Sequence, residues 1–324
     1  VRSRRQRQMC IRDRDGTSNF YGVHSVTLYV NSVQVFNSTT DKVLPDENRM
    51  INGFTDYEEL TRTRRLIMRS YKLPGNRLRL LHPNENRGAV TIDEERDYHF
   101  RYVLEDNFGN RRTYQFIVKG KRQDIPEYKP ETNEMLYWNR TNVIQKPGME
   151  LVVPRYYVYE DVPLRTDMRG DSSHIAFDYI LDAGRTPIHS YCDLSIGLRH
   201  MPVADTTKYY IVQKAGKWRS SMGGKYANGW IKTRVRSLGT FSVDVDTIAP
   251  QITPIGQGGW RTSRNIRFRI KDMESGIGSY KVYIDGKFVL FGLKKGILVI
   301  QDPEKVKKGV SHKLEVTVLS LIHI

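Results

Sequence analysis

Three side chains with the chemistry to bind a metal ion lie between positions 189 and 200. His189, Cys192 and His200 could supply two imidazoles and a thiolate, which are ligands that zinc prefers in proteins. Their spacing matches no closed structural zinc site, and neither His-x-His nor His-Glu-x-x-His occurs in the chain. The structural alternative is a buried thiol with core or turn histidines nearby. We assign no metal ligand in this chain.

Two carboxylates at the end of a predicted strand offer a site for a harder cation. Asp244-Val245-Asp246 precedes a Pro-containing connector, where carboxylates can share a calcium ion with a neighbouring module. Calcium takes about six to eight oxygen ligands, whereas only two carboxylates converge here and no glycine-rich loop accompanies them. The ligand count favours a solvated strand end.

Motifs for nucleophilic catalysis or phosphate binding are not found. No Gly-x-Ser-x-Gly elbow positions a nucleophile. Gly216-Lys217 and Gly223-Gly224-Lys225 lack the preceding strand and the glycine spacing of a phosphate loop, and we expect hairpin turns at both places. No catalytic and no cofactor-binding residue is therefore assigned.

Aromatic rings beside cations provide the best candidate binding chemistry. Such rings can stack on sugars, so Trp218, Tyr226 and Trp230 are candidate contacts for a glycan or wall polymer, with Trp260 as a fourth ring. The structural alternative is core or interdomain packing. Stacking rings beside cations also suit single-stranded nucleic acid. However, the cations are spread over the whole chain among acidic residues, and no recognition helix is predicted. We expect no nucleic-acid partner.

Both ends of the chain match what one DNA element would encode. The DNA sequence CTG TCT CTT ATA CAC ATC encodes residues 319–324, and its opposite strand, read in another frame, encodes Met9 to Asp13. This element resembles a transposase-end adapter, whose upstream part accounts for residues 4–8. We expect residues 1–13 and 319–324 to be non-native and the remainder to be an internal piece of a longer protein.

The charge balance is basic even without these ends. Residues 1–13 hold five arginines and one aspartate, so they contribute +4 of the net charge of +16 and leave +12. A basic surface favours acidic partners such as nucleic acid, anionic lipid or an anionic wall polymer. Cys192 is the one cysteine outside the end segments, so no internal disulfide is expected. No run of about 18 apolar residues occurs, so no membrane span is predicted.

Alternation with a period of two dominates the apolar pattern. Val26 to Val30 and Val33 to Phe36 alternate around Asn31-Ser32, which is typical of a two-residue hairpin. Many such short runs, separated by polar turns, predict an all-β fold of tandem immunoglobulin-like antiparallel β-sandwich domains. One exception lies between Thr55 and Met68, where acidic residues precede arginines and predict either a short surface helix or a charged loop.

An internal repeat supports a modular organisation. Residues 22–32 match residues 276–286, with Gly, Ser and Tyr at equal offsets. Leu314, Val316 and Val318 then correspond to a later strand of the first module, and we expect the last module to stop before its closing hairpin. Together with Pro-rich connectors, the repeat predicts sandwiches at residues 14–122, 123–246 and 247–318, the middle one being the largest and the last one truncated.

Six stretches of the chain carry a resemblance to a known family. They are Leu44–Arg49, Asp93–Tyr102, Leu104–Asn110, His189–Asp193, Ile196–Pro202 and Leu238–Phe241. Together they resemble the region downstream of the catalytic domain in envelope zinc metallopeptidases of the lysostaphin/LytM type. The resemblance extends over essentially all of residues 15–318.

The resemblance implies a secreted or periplasmic hydrolase of the cell envelope that cleaves peptide cross-links in peptidoglycan. Its zinc would be held by His-x-x-x-Asp and His-x-His motifs in an upstream catalytic domain, so no cofactor is expected within this chain. The chain would be the accessory region that positions that domain, with peptidoglycan or another anionic envelope polymer as its partner. The alternative is a surface scaffold or adhesin of tandem immunoglobulin-like modules without enzymatic activity.

Overall fold

The chain folds into antiparallel β-sheets, which confirms the all-β prediction. The computed structural model describes residues 23–124, 126, 132–171 and 173–320. Two compact units are present. The first comprises Val1–Asn142, Val153–Arg165 and Ala183–Tyr191. The second comprises Val143–Val152, Thr166–Asp182 and Cys192–Ile324.

A five-stranded sheet forms the centre of the first unit. Its strands are β1 (Ser25–Val30), β2 (Val33–Thr39), β3 (Leu81–Pro83), β4 (Asp97–Glu105) and β5 (Arg111–Lys119). They are arranged in the order β3-β2-β1-β4-β5. Asn31 and Ser32 have φ values of 48° and 67°, so the predicted two-residue turn between β1 and β2 has the geometry of a type I′ turn.

Non-strand segments cover one face of this sheet. The strands contribute Leu28, Val30, Val35, Phe36, Leu81 and Tyr98 to the buried cluster, and the covering segments contribute Met50, Phe54, Leu73, Leu78 and Tyr159. Met50 belongs to a 3₁₀ turn, Asn48–Gly53. The core of this unit is therefore closed by segments without regular strand structure.

One of the two structures predicted between Thr55 and Met68 is present: a short helix, α1 (Tyr57–Thr63). The Asp56 side chain accepts a hydrogen bond from the backbone N–H of Glu59 at its start, and Arg64 ends it with a left-handed φ of 63°. The helix is shorter than the acidic-to-basic stretch because Thr55 and Met68 form an isolated β-bridge instead.

The region from residue 133 to 246 contains two sheets. Its strands are β6 (Glu134–Leu136), β7 (Asn142–Lys146), β8 (Met149–Val153), β9 (Val162–Arg169), β10 (Asp178–Asp182), β11 (Cys192–Gly197), β12 (Tyr209–Ala215), β13 (Trp218–Ser221), β14 (Lys225–Ala227), β15 (Trp230–Val235) and β16 (Gly239–Val245). The sheet orders are β13-β12-β16-β10-β9-β6 and β14-β15-β11-β8-β7. The sequence pattern also predicts strands at residues 149–153, 175–180 and 209–213. The first and third are present as β8 and β12, whereas β10 begins only at Asp178.

The two glycine-containing turns of this region differ from each other. Gly216 and Lys217 form the predicted hairpin turn, since Ala215 pairs with Trp218. The prediction of a second hairpin at Gly223-Gly224 is wrong, because β13 and β14 belong to different sheets and the segment crosses between them. Gly224 has a φ of 149°, and a Cβ atom there would lie 2.5 Å from the Ile231 side chain. The crossing therefore requires glycine.

A two-sheet sandwich ends the described chain. Its strands are β17 (Gln251–Ile255), β18 (Arg267–Lys271), β19 (Ile277–Ile284), β20 (Lys287–Phe288), β21 (Phe291–Lys294), β22 (Ile297–Ile300) and β23 (Leu314–Ser320). The sheets have the orders β17-β18-β22-β21 and β20-β19-β23. Phe268, Val282, Phe291 and Leu298 are buried in its core, with a short helix, α2 (Trp260–Ser263), outside the sheets.

The strand register confirms the internal repeat. In the first unit Leu28 pairs with Tyr102, and at the equivalent position of the last sandwich Val282 pairs with Val316. The turn residues Asp285 and Gly286 have positive φ values of 51° and 75°, as in the earlier copy. The two regions therefore share one pattern of hairpin and returning strand.

Several predictions about the chain ends concern residues outside those that the structure describes. Residues 1–13, residues 321–324 and most of the Pro-rich connector after residue 124 are in this group. Leu319 and Ser320, which the sequence assigns to the non-native tail, continue β23. Within the described ranges, no helix has the length and apolar character needed to cross a membrane.

Candidate functional site

The three candidate aromatic residues lie on edge strands or beside a hairpin turn. Trp218 begins the edge strand β13 and is 80% exposed, whereas Tyr226 lies on the edge strand β14 of the other sheet and is 37% exposed. Trp230 is half-buried, and its ring carbon would lie 3.7 Å from a Cβ atom at Gly197. The rings are thus distributed over two sheets. Trp218 is the one placed for contact with a ligand.

Cations flank Trp218 at the tip of its hairpin. Lys217 is exposed in the turn, and Arg219 donates from Nη1 to Oδ2 of Asp244 at 2.6 Å. Asp244, one of the two candidate calcium ligands, is thereby engaged by a cation. The tip of the β12–β13 hairpin therefore presents a large aromatic surface beside positive charge.

The second candidate calcium ligand, Asp246, is buried, contrary to the predicted solvated strand end. Its Oδ1 accepts from the N–H of Ile248 at 3.1 Å, and its Oδ2 accepts from both the N–H and the hydroxyl of Ser275. Nearby, Glu274 accepts from the N–H of Thr247 at 2.9 Å. Burial, together with Asp246, raises the pKa of Glu274. This cluster fastens the segment that follows β16 to the loop before β19.

The candidate zinc ligands have separate environments. Cys192 is a buried thiol at the start of β11, and burial raises its pKa to about 12. His200 is exposed, and His189 contacts Tyr159, as described below. Within residues 23–124, 126, 132–171 and 173–320, no three His, Cys, Asp or Glu side chains are grouped closely enough to hold a metal ion.

The sequence contains a His-x-x-x-Asp spacing, from His174 to Asp178, which was not among the predicted sites. In the structure His174 Nδ1 lies 2.9 Å from Asp171, while Asp178 binds the ammonium group of Lys214 at 2.5 Å. Each member therefore has its own partner: His174 has a hydrogen-bonding contact with Asp171, and Asp178 forms an ion pair with Lys214.

Tyr159 is the centre of a buried, hydrogen-bonded site in the first unit. Its side chain is 3% exposed and its hydroxyl donates to the carbonyl oxygen of Arg49 at 2.8 Å. The Nδ1 atom of His189 lies 3.1 Å from the same hydroxyl. The ring packs on Gly53, where a Cβ atom would approach it to 2.7 Å, and the backbone carbonyl accepts from the N–H of Gly75 at 2.7 Å. We call Arg49, Gly53, Gly75, Tyr159 and His189 the Tyr159 junction.

The hydrogen bonds define the proton positions in the Tyr159 junction. A carbonyl oxygen can only accept, so the single hydroxyl proton of Tyr159 is directed to Arg49. Nδ1 of His189 must then carry the proton that it shares with the tyrosine oxygen. Burial raises the pKa of Tyr159 and lowers that of His189, so both groups remain neutral at pH 7.

An ion pair supports the segment that carries Arg49. Glu47 is 3% exposed and binds Arg79 through two hydrogen bonds of 2.7 Å and 3.1 Å. Its Oε2 also accepts from the N–H of Leu44. The hydrogen bonds from Arg79 lower the pKa of Glu47 to about 2, so the carboxylate stays charged at neutral pH and fixes the start of the 3₁₀ turn.

A polar cleft of about 230 Å³ lies beside the Tyr159 junction. Its charged lining residues are Asp56, Glu58, Arg69, Glu160 and Arg185. Both arginines bind groups of the first unit: Arg69 donates to the carbonyl of Thr55 at 3.1 Å and Arg185 to the hydroxyl of Thr61 at 3.4 Å. The volume is below the roughly 300 to 1,000 Å³ of most small-molecule sites. The arginines of the cleft therefore link segments of the first unit to each other.

Tyr159 was missed by the sequence analysis. The available signal was the run Tyr156-Tyr157-Val158-Tyr159, which places three tyrosines within four residues directly after Pro154 and Arg155. This run does not alternate in the way a strand does. Large aromatic residues in an irregular segment need a core to bury them, and such a run is a usable sign of packing against another module.

The middle of the chain matches one known domain. A protein-family profile described as a Zu5-like domain matches residues 133–246, about a third of the chain. No curated protein matches the sequence. A solved structure of a Ca²⁺-stabilized adhesin that helps an Antarctic bacterium reach out and bind ice is 9% identical, with 92% of this chain and 89% of that chain covered and a TM-score of 0.14. No conclusion follows from a TM-score this low.

We predict that Tyr159 stabilises the fold through both its ring and its hydroxyl. Tyr159→Phe leaves the Arg49 carbonyl without its donor and should cost about 1–3 kcal/mol. Tyr159→Ala also opens a cavity and should cost about 3–5 kcal/mol. Urea unfolding followed by circular dichroism measures both. Tyr226→Phe, at a partly exposed ring, is the control and should change the stability by less than about 0.5 kcal/mol.

We also predict a pH dependence that originates at His189. Its folded pKa is lowered, so the folded state resists protonation. Its contribution is fully present above the unfolded value of about 6.5 and is lost as the pH falls toward the folded pKa. Between pH 7 and pH 5, the wild type should lose more stability than His189→Gln. His312, whose pKa is raised, acts in the opposite direction but is common to both proteins. Equal pH slopes would contradict the assignment.

Proposed function

We propose that this chain is a non-enzymatic scaffold of a bacterial surface or envelope protein, built from β-sandwich modules in the manner of an adhesin. The all-β architecture and the Zu5-like match over residues 133–246 support a structural role. In this proposal the chain acts outside the cytoplasm, in the periplasm or on the cell surface, and holds neighbouring parts of its protein in place.

The observation that carries this proposal is the Tyr159 junction. Val153–Arg165 and Ala183–Tyr191 lie within the region that matches the Zu5-like profile, yet they belong to the same compact unit as the first sheet. Tyr159 is part of the hydrophobic cluster of that sheet. Modules joined by linkers generally move relative to each other, whereas segments that share one core keep fixed positions within that core. A spacer needs segments with fixed positions.

The scaffold would contact an anionic envelope polymer such as peptidoglycan through the tip of the β12–β13 hairpin. Trp218 is 80% exposed there, beside Lys217 and Arg219. An aromatic ring can stack on a sugar face, while cations attract acidic groups of a wall polymer. The net charge of +12 outside the first 13 residues acts in the same direction.

We expect the purified chain to sediment with isolated peptidoglycan in a saturable manner that weakens as salt increases. Trp218→Ala should reduce the retained fraction at least about fivefold, because the exposed ring supplies the stacking surface. Phe108→Ala is the matched control, since Phe108 is 73% exposed at another hairpin, and it should bind as the wild type does. Absence of retention at low salt would contradict the polymer contact and leave a spacer role alone.

A second candidate is the accessory region of a lysostaphin/LytM-type zinc peptidase. One structural observation favours it. Two of the stretches that carry the resemblance, Leu44–Arg49 and His189–Asp193, meet at the Tyr159 junction through the Arg49 carbonyl and the His189 ring. A family pattern that preserves both stretches would preserve this packing. The zinc and its ligands would belong to an upstream domain.

Under this second proposal, the chain alone should release no amino groups from peptidoglycan, with or without added Zn²⁺. A longer protein that includes the upstream sequence should hydrolyse the cross-links, because its own motifs would hold the metal. Hydrolysis is measured as the appearance of free amino groups. Zinc-dependent hydrolysis by the isolated chain would contradict the accessory role, and an upstream sequence without His-x-x-x-Asp and His-x-His would exclude the peptidase.

A further inference from the structure

The strand β5 is a long edge strand of the first sheet. It pairs with β4 over nine consecutive residue pairs without a register shift, and it is the last strand in the sheet order. The opposite edge strand, β3, has three residues and ends with Pro83. Short length and proline protect an edge from pairing with other strands, and β5 has neither feature.

The alternation of hydrogen bonds determines which groups of β5 face outward. Gly120 donates to the carbonyl of Arg96 at 2.8 Å, so the pair Arg96–Gly120 is a hydrogen-bonded pair. Continuing the register of β4 and β5 places Thr113, Gln115 and Ile117 in non-hydrogen-bonded pairs. Their backbone N–H and C=O groups therefore point away from β4. Within the described residues, no further strand pairs on that side.

The side chains of the edge are apolar in the middle and basic at both ends. Phe116 and Ile117 are 46% and 51% exposed. The segment 111–122 contains five cations and no carboxylate, the cations being Arg111, Arg112, Lys119, Lys121 and Arg122. Arg111 is engaged by Glu105 of β4 at 3.0 Å. Asp97 of β4 lies opposite Lys119, and β5 itself contributes cations only.

This charge pattern distinguishes between two occupants. A second copy of β5 in antiparallel register would bring Arg111 and Arg112 next to Lys119 and Lys121 of its partner, and like charges facing each other across strands are destabilising. An acidic strand would instead place carboxylates beside the same cations. The edge therefore favours a strand of opposite charge.

We propose that the open edge of β5 binds an extended acidic polypeptide segment, which adds to the sheet as a sixth strand. Backbone hydrogen bonds from Thr113, Gln115 and Ile117 would supply affinity. Phe116 would contact apolar side chains on one face of the added strand, and the flanking cations would select carboxylates on its other face. The proposal does not depend on the scaffold or peptidase role.

The probe is a fluorescein-labelled peptide of alternating Glu and Val that matches β5 in length, and binding to the full chain is followed by fluorescence anisotropy. Gln115→Pro removes an outward N–H without removing a hydrogen bond to β4, so it should weaken binding at least about tenfold. Gln115→Ala keeps the N–H and should bind within about twofold of the wild type. Circular dichroism checks that both variants are folded.

Charge and backbone contributions are tested separately. The double variant Lys119→Glu with Lys121→Glu should weaken binding at least about tenfold, as should an increase from about 50 to about 300 mM salt. A Lys-Val peptide should not bind. If Gln115→Pro does not fold, slower hydrogen exchange at the amides of Thr113, Gln115 and Ile117 on addition of the Glu-Val peptide supplies the same test in the wild type.

Three results would overturn the proposal. The first is that the Glu-Val peptide does not bind at millimolar concentration. The second is equal affinity of Gln115→Pro and Gln115→Ala, which would exclude the backbone edge as the contact. The third is a concentration-dependent dimer that Gln115→Pro dissociates, since a second copy would then occupy the edge.

Discussion

The first unit depends on the burial of one tyrosine ring against a glycine. Because a Cβ atom at Gly53 would collide with the Tyr159 ring, the segment Asn48–Gly53 can approach only while position 53 remains glycine. Once the ring is buried, its hydroxyl needs partners, since an unpaired polar group in a core is costly. The Arg49 carbonyl and His189 provide them. One side chain thus joins three segments that are distant in sequence.

A second buried polar group performs a comparable task after β16. Asp246 is 3% exposed and its carboxylate receives the N–H groups of Ile248 and Ser275. At both places a polar atom surrounded by apolar neighbours selects one arrangement of the chain, because each alternative arrangement would leave it unsatisfied. Within each unit, separate segments are thus joined by polar groups whose partners are mostly backbone atoms.

The elements that could be predicted from the sequence were those whose conformation is determined by residues close to them in the chain. Alternation and the turn residues Asn31 and Ser32, with their match at Asp285 and Gly286, predicted two hairpins, and the repeat predicted a returning strand in the last module, because turn geometry and side-chain period are set by neighbouring residues. The acidic start of the short helix was compatible with a helix but also with a charged loop. The crossing at Gly224 could not be predicted, because a glycine pair in a hairpin turn and a glycine pair between two sheets can have the same local sequence. Tyr159 was missed and Asp246 was expected to be solvated for a related reason: their partners lie far away along the chain or in another loop. Trp218 and Trp230 looked alike in sequence, but the ring of Trp230 lies beside Gly197 whereas that of Trp218 is exposed.

The distance in sequence that Tyr159 bridges has a consequence for biosynthesis. Its hydroxyl contacts a carbonyl 110 residues earlier, and His189 follows 30 residues later. During translation, the first sheet can form its hairpins as soon as they leave the ribosome, but the cover of its hydrophobic face remains incomplete until residue 159 has been made. Contacts between residues far apart in sequence slow folding, and exposed apolar surface on a nascent chain invites aggregation. The nascent protein therefore passes through an interval in which the strands of the sheet are complete but its apolar face is only partly covered. A chaperone would find the largest exposed apolar surface during that interval.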